Sequence, residues 1–245
     1  MSIALSIPLI GPLVAQQVLN PPRPDLDKIL NDYQQQDDKM TSWRPKFGGW
    51  ATIPFSSSYK VTETEGDLLD NLSRDRGLVG MSDFEDIKDQ AFDVSEARYA
   101  NPANFPPAAG STGKEQVRWM QNDGHRDAFR HAYWNALLTK NFGETWTREF
   151  TNAHEGVPGN KADREAMDLY NNEVGRKIAL DHPGATDREL ADLVQQAVTD
   201  GKLVVVDSAG KLQWSDRVAY GQHGKADDAP LAGGRAIPDG DASAR

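Results

Sequence analysis

The sequence predicts a mainly α fold, a helical bundle with a small β-hairpin near the C-terminus. Three helical patterns follow one another at 123–142, 144–155 and 161–180, separated by Gly143 and by the segment GVPGN. Short connections of this kind join antiparallel neighbouring helices. After them, the run LVVVDSAGKLQWS places two apolar segments on either side of a turn at 208–210, which predicts the hairpin.

The N-terminal part of the chain predicts three helices and little sheet. A short helix begins at Asp25 or Asp27, and a stretch that is irregular apart from one short strand follows it. A second helix starts after Thr62 or Thr64. A third starts at Ser82, where SDFE matches a capping box.

The C-terminal part predicts one more helix, with Thr186 as its N-cap and Gly201 after its end. Five segments result: an apolar N-terminal arm at 1–24, an N-terminal helical region at 25–100, a Pro/Gly-rich loop at 101–114, a helical domain of catalytic type at 115–223, and a disordered tail at 224–245.

The charge and the composition exclude several functions. The chain of 245 residues carries 27 Lys and Arg against 37 Asp and Glu, a net charge of −10, without a run of basic residues. A partner bound through nucleic-acid phosphates normally requires a basic surface, so we expect no nucleic-acid partner. The absence of cysteine excludes disulfides, zinc thiolates and a Cys nucleophile.

The arm is mostly apolar but contains Pro8 and Pro12, and no Lys or Arg precedes its apolar residues. It therefore resembles neither a convincing signal peptide nor a spanning helix. Two hypotheses follow: the arm packs on its own domain or a fusion partner, or it inserts into a carrier or a membrane.

The stretch GHRDAFRHAYWNALL contains a polar stripe on an otherwise apolar helix. Asp127, His131 and Asn135 are spaced by four residues and so lie on one face. The apolar residues around them indicate a buried helix, in which such polar groups need partners. The third helix of the block carries a second stripe, with Asp168, Asn172 and two arginines, and we expect the two stripes to face each other.

The short connecting helix ends on His154 and Glu155, which can point at the same cleft. Each residue also has a structural explanation: His154 suits the last turn of a helix, Asp168 could pair within its own helix, and Asn171 and Asn172 could cap loops. Their coincidence favours a site. The candidate residues are Asp127, His131, Asn135, His154, Glu155, Asp168 and Asn172.

Two chemistries fit these residues. In the metal-dependent one, Asp127, His131, His154 and Asp168 bind a divalent ion, which could be Zn, Mn, Mg or Ca, and Glu155 takes a proton from bound water. In the metal-free one, His131 held by Asp168 or Asp127 is the general base, and the arginines stabilise the developing anion. Asn135, Asn171, Asn172 and Arg176 are assigned to substrate binding. Neither an HExxH nor a GxSxG motif is present.

The motifs DAFRHAYWN, AHE and MDLYNNEVGR, in this order, resemble an uncharacterised helical domain family over about 115–200. The family occurs as a terminal module of Rhs-type and wall-associated bacterial polymorphic toxins and secreted effectors. The segment RHAYWN is also similar, more faintly, to the RHDxGYxN helix of bacterial phospholipases A2, where His is the base. Here Ala132 replaces the calcium-binding Asp of that motif.

The resemblance implies a bacterial effector-like protein whose site is built from Asp127, Arg130, His131, Asn135, His154, Glu155, Asp168, Asn171 and Asn172. We expect a secreted, toxin-like antibacterial hydrolase, metal-dependent, that acts on phospholipid or peptidoglycan of the cell envelope and is delivered to the target-cell envelope or periplasm. An immunity protein and a secretion carrier are its expected partners, with membrane contact through the arm. The alternative is a non-enzymatic binding or structural module of a secretion or toxin assembly.

Overall fold

Helix α3 lies at the centre of the protein, and the other helices pack around it. A computed structural model describes residues 22–99 and 119–226. Helices dominate these residues and a hairpin follows the last of them, which confirms the predicted fold class. The elements are α1 Leu26–Asp32, β1 Met40–Trp43, β2 Lys46–Phe47, β3 Ala51–Thr52, β4 Tyr59–Thr62, α2 Glu63–Tyr99, α3 His125–Phe142, α4 Glu144–Glu155, α5 Ala162–Asp181, α6 Asp187–Thr199, β5 Val204–Val206 and β6 Leu212–Trp214.

The main core forms where α3 meets α2, α5, α6 and the hairpin. Phe129, Tyr133 and Leu137 of α3 are almost fully buried there, as the apolar pattern of this helix predicts. The closest helix pair is α3 with α5. At Gly175 a Cβ atom would overlap the backbone of Ala132, so a glycine is needed for the two backbones to approach this closely. This close approach sets the two polar stripes against each other.

Helix α2 begins with a capping box formed by Thr62 and Glu65. The Glu65 amide donates to Thr62 Oγ1 at 3.1 Å, and the Thr62 amide donates to Glu65 Oε2 at 2.7 Å. The helix is interrupted at Gly77, whose φ of 64° is left-handed. The prediction of a new helix at Ser82 is therefore wrong: Ser82 lies inside the helical segment, and the break comes five residues earlier at the glycine.

Residues 40–62 form more sheet than predicted. Strands β1 and β4 pair antiparallel from Met40↔Thr62 to Trp43↔Tyr59, and β2 pairs with β3. The expected single strand is thus corrected to four short ones. Each has two to four residues, too few to give a period-two pattern in the sequence.

The C-terminal elements form as predicted. Thr186 caps α6 with a full capping box, and Val204↔Trp214 begins the antiparallel hairpin register. Residues 224–226 belong to this ordered part, because the Gly224 amide donates to Val206 O at 3.1 Å and Ala226 is buried. The disordered tail predicted from 224 is wrong for these three residues.

The remaining segment predictions lie largely outside the described residues. These are the arm as far as residue 21, the loop at 101–114, and the tail from residue 227. Among the described helices, none combines the length and the apolar character needed to cross a membrane.

Candidate metal centre

Three helices place carboxylates around the imidazole of His131. Asp127 comes from the same helix α3, one turn earlier, and its Oδ1 lies 3.5 Å from His131 Nε2. Asp168 of α5 places its Oδ1 at the same distance from Nε2. Glu155, the last residue of α4, places Oε1 3.8 Å from Nδ1. All four residues are at most 5% exposed. This confirms the expectation that the stripe of α3 faces α5, with a carboxylate from each helix near His131.

Asp127 is the best-stabilised carboxylate of the cluster. It is paired with Arg130, and its Oδ2 accepts a 2.7 Å hydrogen bond from the Asp123 amide. Asp123 has a left-handed φ of 65° and is itself held by two hydrogen bonds of 2.7 and 2.8 Å from Arg164. Burial acts to raise the pKa of Asp127, but Arg130 and His131 together hold that pKa below its ordinary value. Asp127 is therefore ionised.

The pKa of Asp168 is shifted in the opposite direction to that of Asp127. Burial, followed by the negative charges of Glu155 and Asp127, raises the pKa of Asp168 well above its ordinary value. Burial also lowers the pKa of His131, so its ring is neutral near pH 7. Metal ions bind neutral imidazole and deprotonated carboxylate, and binding releases any proton that a ligand carries. A neutral His131 and an Asp168 of raised pKa are therefore suited to binding a cation with release of a proton.

A hydrogen-bond chain from α5 fixes the tautomer of His131. Arg176 can only donate, and it donates to Asn135 Oδ1 at 3.1 Å, as does Thr151 Oγ1 at 3.0 Å. The Asn135 amide nitrogen must then donate, and it lies 2.6 Å from Asn172 Oδ1. That same oxygen lies 3.2 Å from His131 Nδ1, so Nδ1 carries the proton. The lone pair of Nε2 is left facing Asp127 and Asp168.

Three buried polar atoms around the cluster have no hydrogen-bond partner among the described residues: Asp168 Oδ1, Glu155 Oε1 and Asn172 Nδ2. Buried polar groups in proteins are almost always paired, and an unpaired one is costly. The two carboxylate oxygens, of Asp168 and Glu155, would be satisfied by a cation or by a proton donor.

The separations of both carboxylates from His131 Nε2 fit a divalent cation. One ligand atom each from Asp127, His131 and Asp168 lie within 4.8 Å of one another. Ligands about 2.1 Å from a Zn²⁺ or Mg²⁺ ion are separated by ~3.0–3.4 Å, close to the 3.5 Å separations found here. Two oxygens and one imidazole suit several divalent ions and do not select among Zn, Mn, Mg and Ca.

The structure does not bring His154 into the cluster. Its Nδ1 lies 2.6 Å from Glu65 Oε1, and its ring packs edge-on against Trp134. Asn171 also lies apart, because its amide group makes hydrogen bonds of 2.9 and 3.0 Å with the backbone of Val204 at the start of β5. These contacts account for both residues without a ligand.

Several residues around the cluster are absent from the candidate set drawn from the sequence. Asp123 binds the Asp127 carboxylate from the turn before α3, where no helical period applies. Thr147 and Thr151, with the candidate Glu155, are spaced by four residues in α4 and are all buried, so they form a third polar stripe. The spacing alone could have identified this stripe.

The fold and the cluster define this chain as a helical protein with a buried histidine–carboxylate centre. A domain of unknown function, DUF6973, covers residues 86–202. That span contains the whole cluster, from Asp127 to Asp168, and it confirms that an uncharacterised domain occupies this part of the chain. Comparisons with curated proteins and with solved structures gave no match.

Proposed function

We propose that the protein is a metal-dependent hydrolase of the bacterial effector or toxin type. The observation that carries the proposal is the convergence of Asp127, His131 Nε2 and Asp168 within 4.8 Å, beside oxygens of Asp168 and Glu155 that accept no hydrogen bond among the described residues. Burying three carboxylates around one neutral imidazole costs free energy unless a cation compensates their charge. A site retained at that cost is a candidate for function.

Each residue of the cluster has a separate role in the proposed chemistry. Asp127, His131 and Asp168 would hold the ion, and the chemistry that it would supply is a lowered pKa of a bound water molecule. Asn172 orients the imidazole from its Nδ1 side. Glu155 lies on that side too, so it acts on the cluster through its charge; this replaces the proton-acceptor role expected from the sequence.

The edge of the cluster that carries Arg130 and Arg164 is where a substrate would approach. Their side chains are 14% and 22% exposed, more than those of the carboxylates they contact. Guanidinium groups suit phosphate oxygens, which favours a phosphoester of the envelope, a phospholipid, over peptidoglycan. The faint likeness of RHAYWN to the phospholipase A2 helix agrees with this substrate class.

The biological setting is part of the same proposal. The three motifs that resemble polymorphic-toxin domains, the net charge of −10 and the apolar arm support an antibacterial protein delivered to the envelope or periplasm of a target cell. In that setting an immunity protein and a secretion carrier are its partners, and nucleic acid is not.

A second candidate function is a non-enzymatic structural module of a toxin or secretion assembly. Its support is the burial of the cluster, since Asp127, His131 and Asp168 are only 2–5% exposed. The surface clefts lined by residues 182–196 and 23–27 contain none of these three residues. In this case the polar stripes only lock the helices together.

Metal binding and hydrolysis distinguish the two functions. After dialysis against a chelator, the protein is titrated by calorimetry with Zn²⁺, Mn²⁺, Mg²⁺ and Ca²⁺, and is then assayed on phospholipid vesicles and on peptidoglycan. We expect one ion per chain, and we expect His131→Ala to lose both metal binding and at least ~10²-fold in activity. The control is His182→Ala, an exposed histidine after α5, which should behave like the parent. A parent that binds no ion and hydrolyses neither substrate would support the structural module.

A further inference from the structure

We propose that a second surface, the aromatic hairpin formed by residues 46–55, docks the protein onto an anionic lipid bilayer. The hairpin comprises β2, the turn at Gly48 and Gly49, β3 and the bend that follows. The inference rests on the proposed function in one respect, because it identifies lipid as the surface on which that activity takes place.

Among the described residues, the hairpin carries the two most exposed large apolar side chains, Phe55 and Trp50, and a third exposed aromatic, Phe47. Trp50 is 79% exposed, Phe47 60%, and Phe55 is as exposed as in an isolated peptide. Phe55 also has a left-handed φ of 63°, which is rare for a bulky side chain. Several exposed aromatics close together in the chain mark an interaction surface, unlike single exposed apolar residues.

The hairpin packs against helix α2 at both its first strand and its turn, which holds its exposed aromatic side chains on a rigid support. Asp70 of α2 accepts a 2.8 Å hydrogen bond from Trp43 Nε1 and also pairs with Lys46. Ser73 of the same helix donates to Lys46 O. Gly49 packs on the Asp70 carbonyl so closely that a Cβ atom would overlap it. A surface that is already rigid in the free protein loses little conformational entropy when it binds.

The charge around the hairpin selects an anionic lipid surface. Residues 40–62 contain Arg44, Lys46 and Lys60 but no Asp or Glu, in a chain whose net charge is −10. Lys46 is paired with Asp70 of α2, whereas Arg44, two residues before β2, and Lys60 in β4 are exposed. Trp and Phe combined with nearby cationic side chains are typical of segments that bind at a membrane interface. Exposed Trp and Phe side chains can insert between lipid headgroups, whereas a protein interface usually needs a broad complementary surface.

The test measures binding of the full chain to vesicles of phosphatidylcholine with one quarter phosphatidylglycerol, by co-sedimentation in the presence of a chelator. We expect Trp50→Ser and Phe55→Ser each to weaken binding at least ~10-fold, because each removes an apolar side chain that enters the interface. Leu180→Ser, at an exposed apolar position at the end of α5, is the matched control and should bind like the parent. Pure phosphatidylcholine should bind the parent more weakly.

A second measurement detects contact of Trp50 with lipid directly, in a variant that still binds vesicles. Trp50→Phe keeps an aromatic side chain and should bind vesicles as the parent does. Brominated lipids should quench part of the tryptophan fluorescence of the parent, and that part should be absent from Trp50→Phe.

Three results would overturn the inference: a parent that does not bind vesicles, serine variants that bind as well as the parent, or quenching that is the same in Trp50→Phe. The second result would assign membrane binding to another segment such as the N-terminal arm, and the first would assign the hairpin to a protein partner. Because the assay contains chelator and needs no hydrolysis, its failure leaves the metal centre untouched.

Discussion

Replacing Asp168 by Asn removes one negative charge from the cluster while keeping the shape of the side chain. In the metal-free protein this carboxylate lies within 4.8 Å of the Asp127 carboxylate, and burial together with Glu155 and Asp127 raises its pKa. The substitution should therefore stabilise the metal-free protein, although it abolishes a proposed ligand. Most substitutions of buried residues destabilise, so the sign of the effect is diagnostic.

The magnitude follows from the distance. Two unit charges at 4.8 Å repel each other by about 3 kcal/mol at an effective dielectric constant of ~20. Arg130 and Arg164 offset part of this repulsion at Asp168, and protonation of Asp168 relieves another part. We expect Asp168→Asn to raise the free energy of unfolding by about 1–3 kcal/mol in chelator.

The pH dependence gives a second check. The folded-state pKa of Asp168 is above its unfolded value, so the stability it contributes is present at low pH and is lost as the pH rises through the folded pKa. The gain from Asp168→Asn should be small near the ordinary Asp pKa of 3.8 and should increase with pH. His131, whose pKa is lowered, has the opposite dependence, but it is common to both proteins and cancels in the difference.

The assay is denaturant unfolding of the parent and the variant, with chelator and with saturating metal. Metal at ~100 times its Kd should stabilise the parent by ~2.7 kcal/mol and the variant much less. Asp181→Asn, at an exposed position at the end of the same helix, is the control and should change stability by no more than about 0.5 kcal/mol. A variant that is less stable than the parent in chelator, or that gains as much from metal, would refute the reasoning.

Three further predictions concern the same cluster. Glu155→Gln should keep one ion per chain but bind it about 10-fold more weakly, because it removes a charge near the ligands without removing a ligand; a fully active, chelator-insensitive variant would argue against the metal centre. Metal affinity should rise with pH and binding should release about one proton, that of Asp168, as measured by calorimetry in buffers of different ionisation enthalpy; equal affinity at about pH 5 and about pH 8 would contradict this. Arg176→Met should let His131 populate both tautomers, visible as converging ¹⁵N shifts of its ring nitrogens, with a ~10-fold or greater loss of metal affinity; unchanged shifts would show that Thr151 alone orients Asn135.

The polar stripes could be predicted because a helix has a fixed period. Asp127 and His131 are one turn apart in any α-helix, and Asp168 and Asn172 likewise, so the only unknown was whether the two faces meet. Their meeting depends on the contact between Gly175 and Ala132, which allows the backbones to approach. The sequence shows the glycine but not the residue against which it packs.

The residues placed wrongly depend on contacts between distant parts of the chain. The sequence predicts that His154 and Glu155 point at the same cleft, because both lie at the end of one short helix. Adjacent positions on a helix, however, point about 100° apart. Glu65, the partner of His154, is 89 residues away in sequence, on a helix that was not connected with the site. Asp123 was missed for a similar reason, since its left-handed backbone conformation and its contact with Arg164 follow from tertiary structure.

The polar interface between α3, α4 and α5 has two parts, and the difference between them favours a ligand. In one part Asn135 uses both ends of its amide: Arg176 and Thr151 donate to its oxygen, and its nitrogen donates to Asn172. This part needs nothing further and locks the helices together. One turn away, towards the N-terminus of α3, the interface leaves oxygens of Asp168 and Glu155 unpaired in the interior.

A purely structural interface would be expected to extend the amide pattern, since neutral groups satisfy one another at lower cost than a group of carboxylates. The sequence instead places three acids around one imidazole and orients the lone pair of that imidazole towards two of them. Glu155 adds to the cost, because its negative charge at the C-terminus of α4 opposes the helix dipole by about 0.3–1 kcal/mol. A divalent cation between Asp127, His131 and Asp168 would compensate these unfavourable terms, which the hydrogen bonds and ion pairs of the described residues, including those of Arg130 and Arg164, offset only in part.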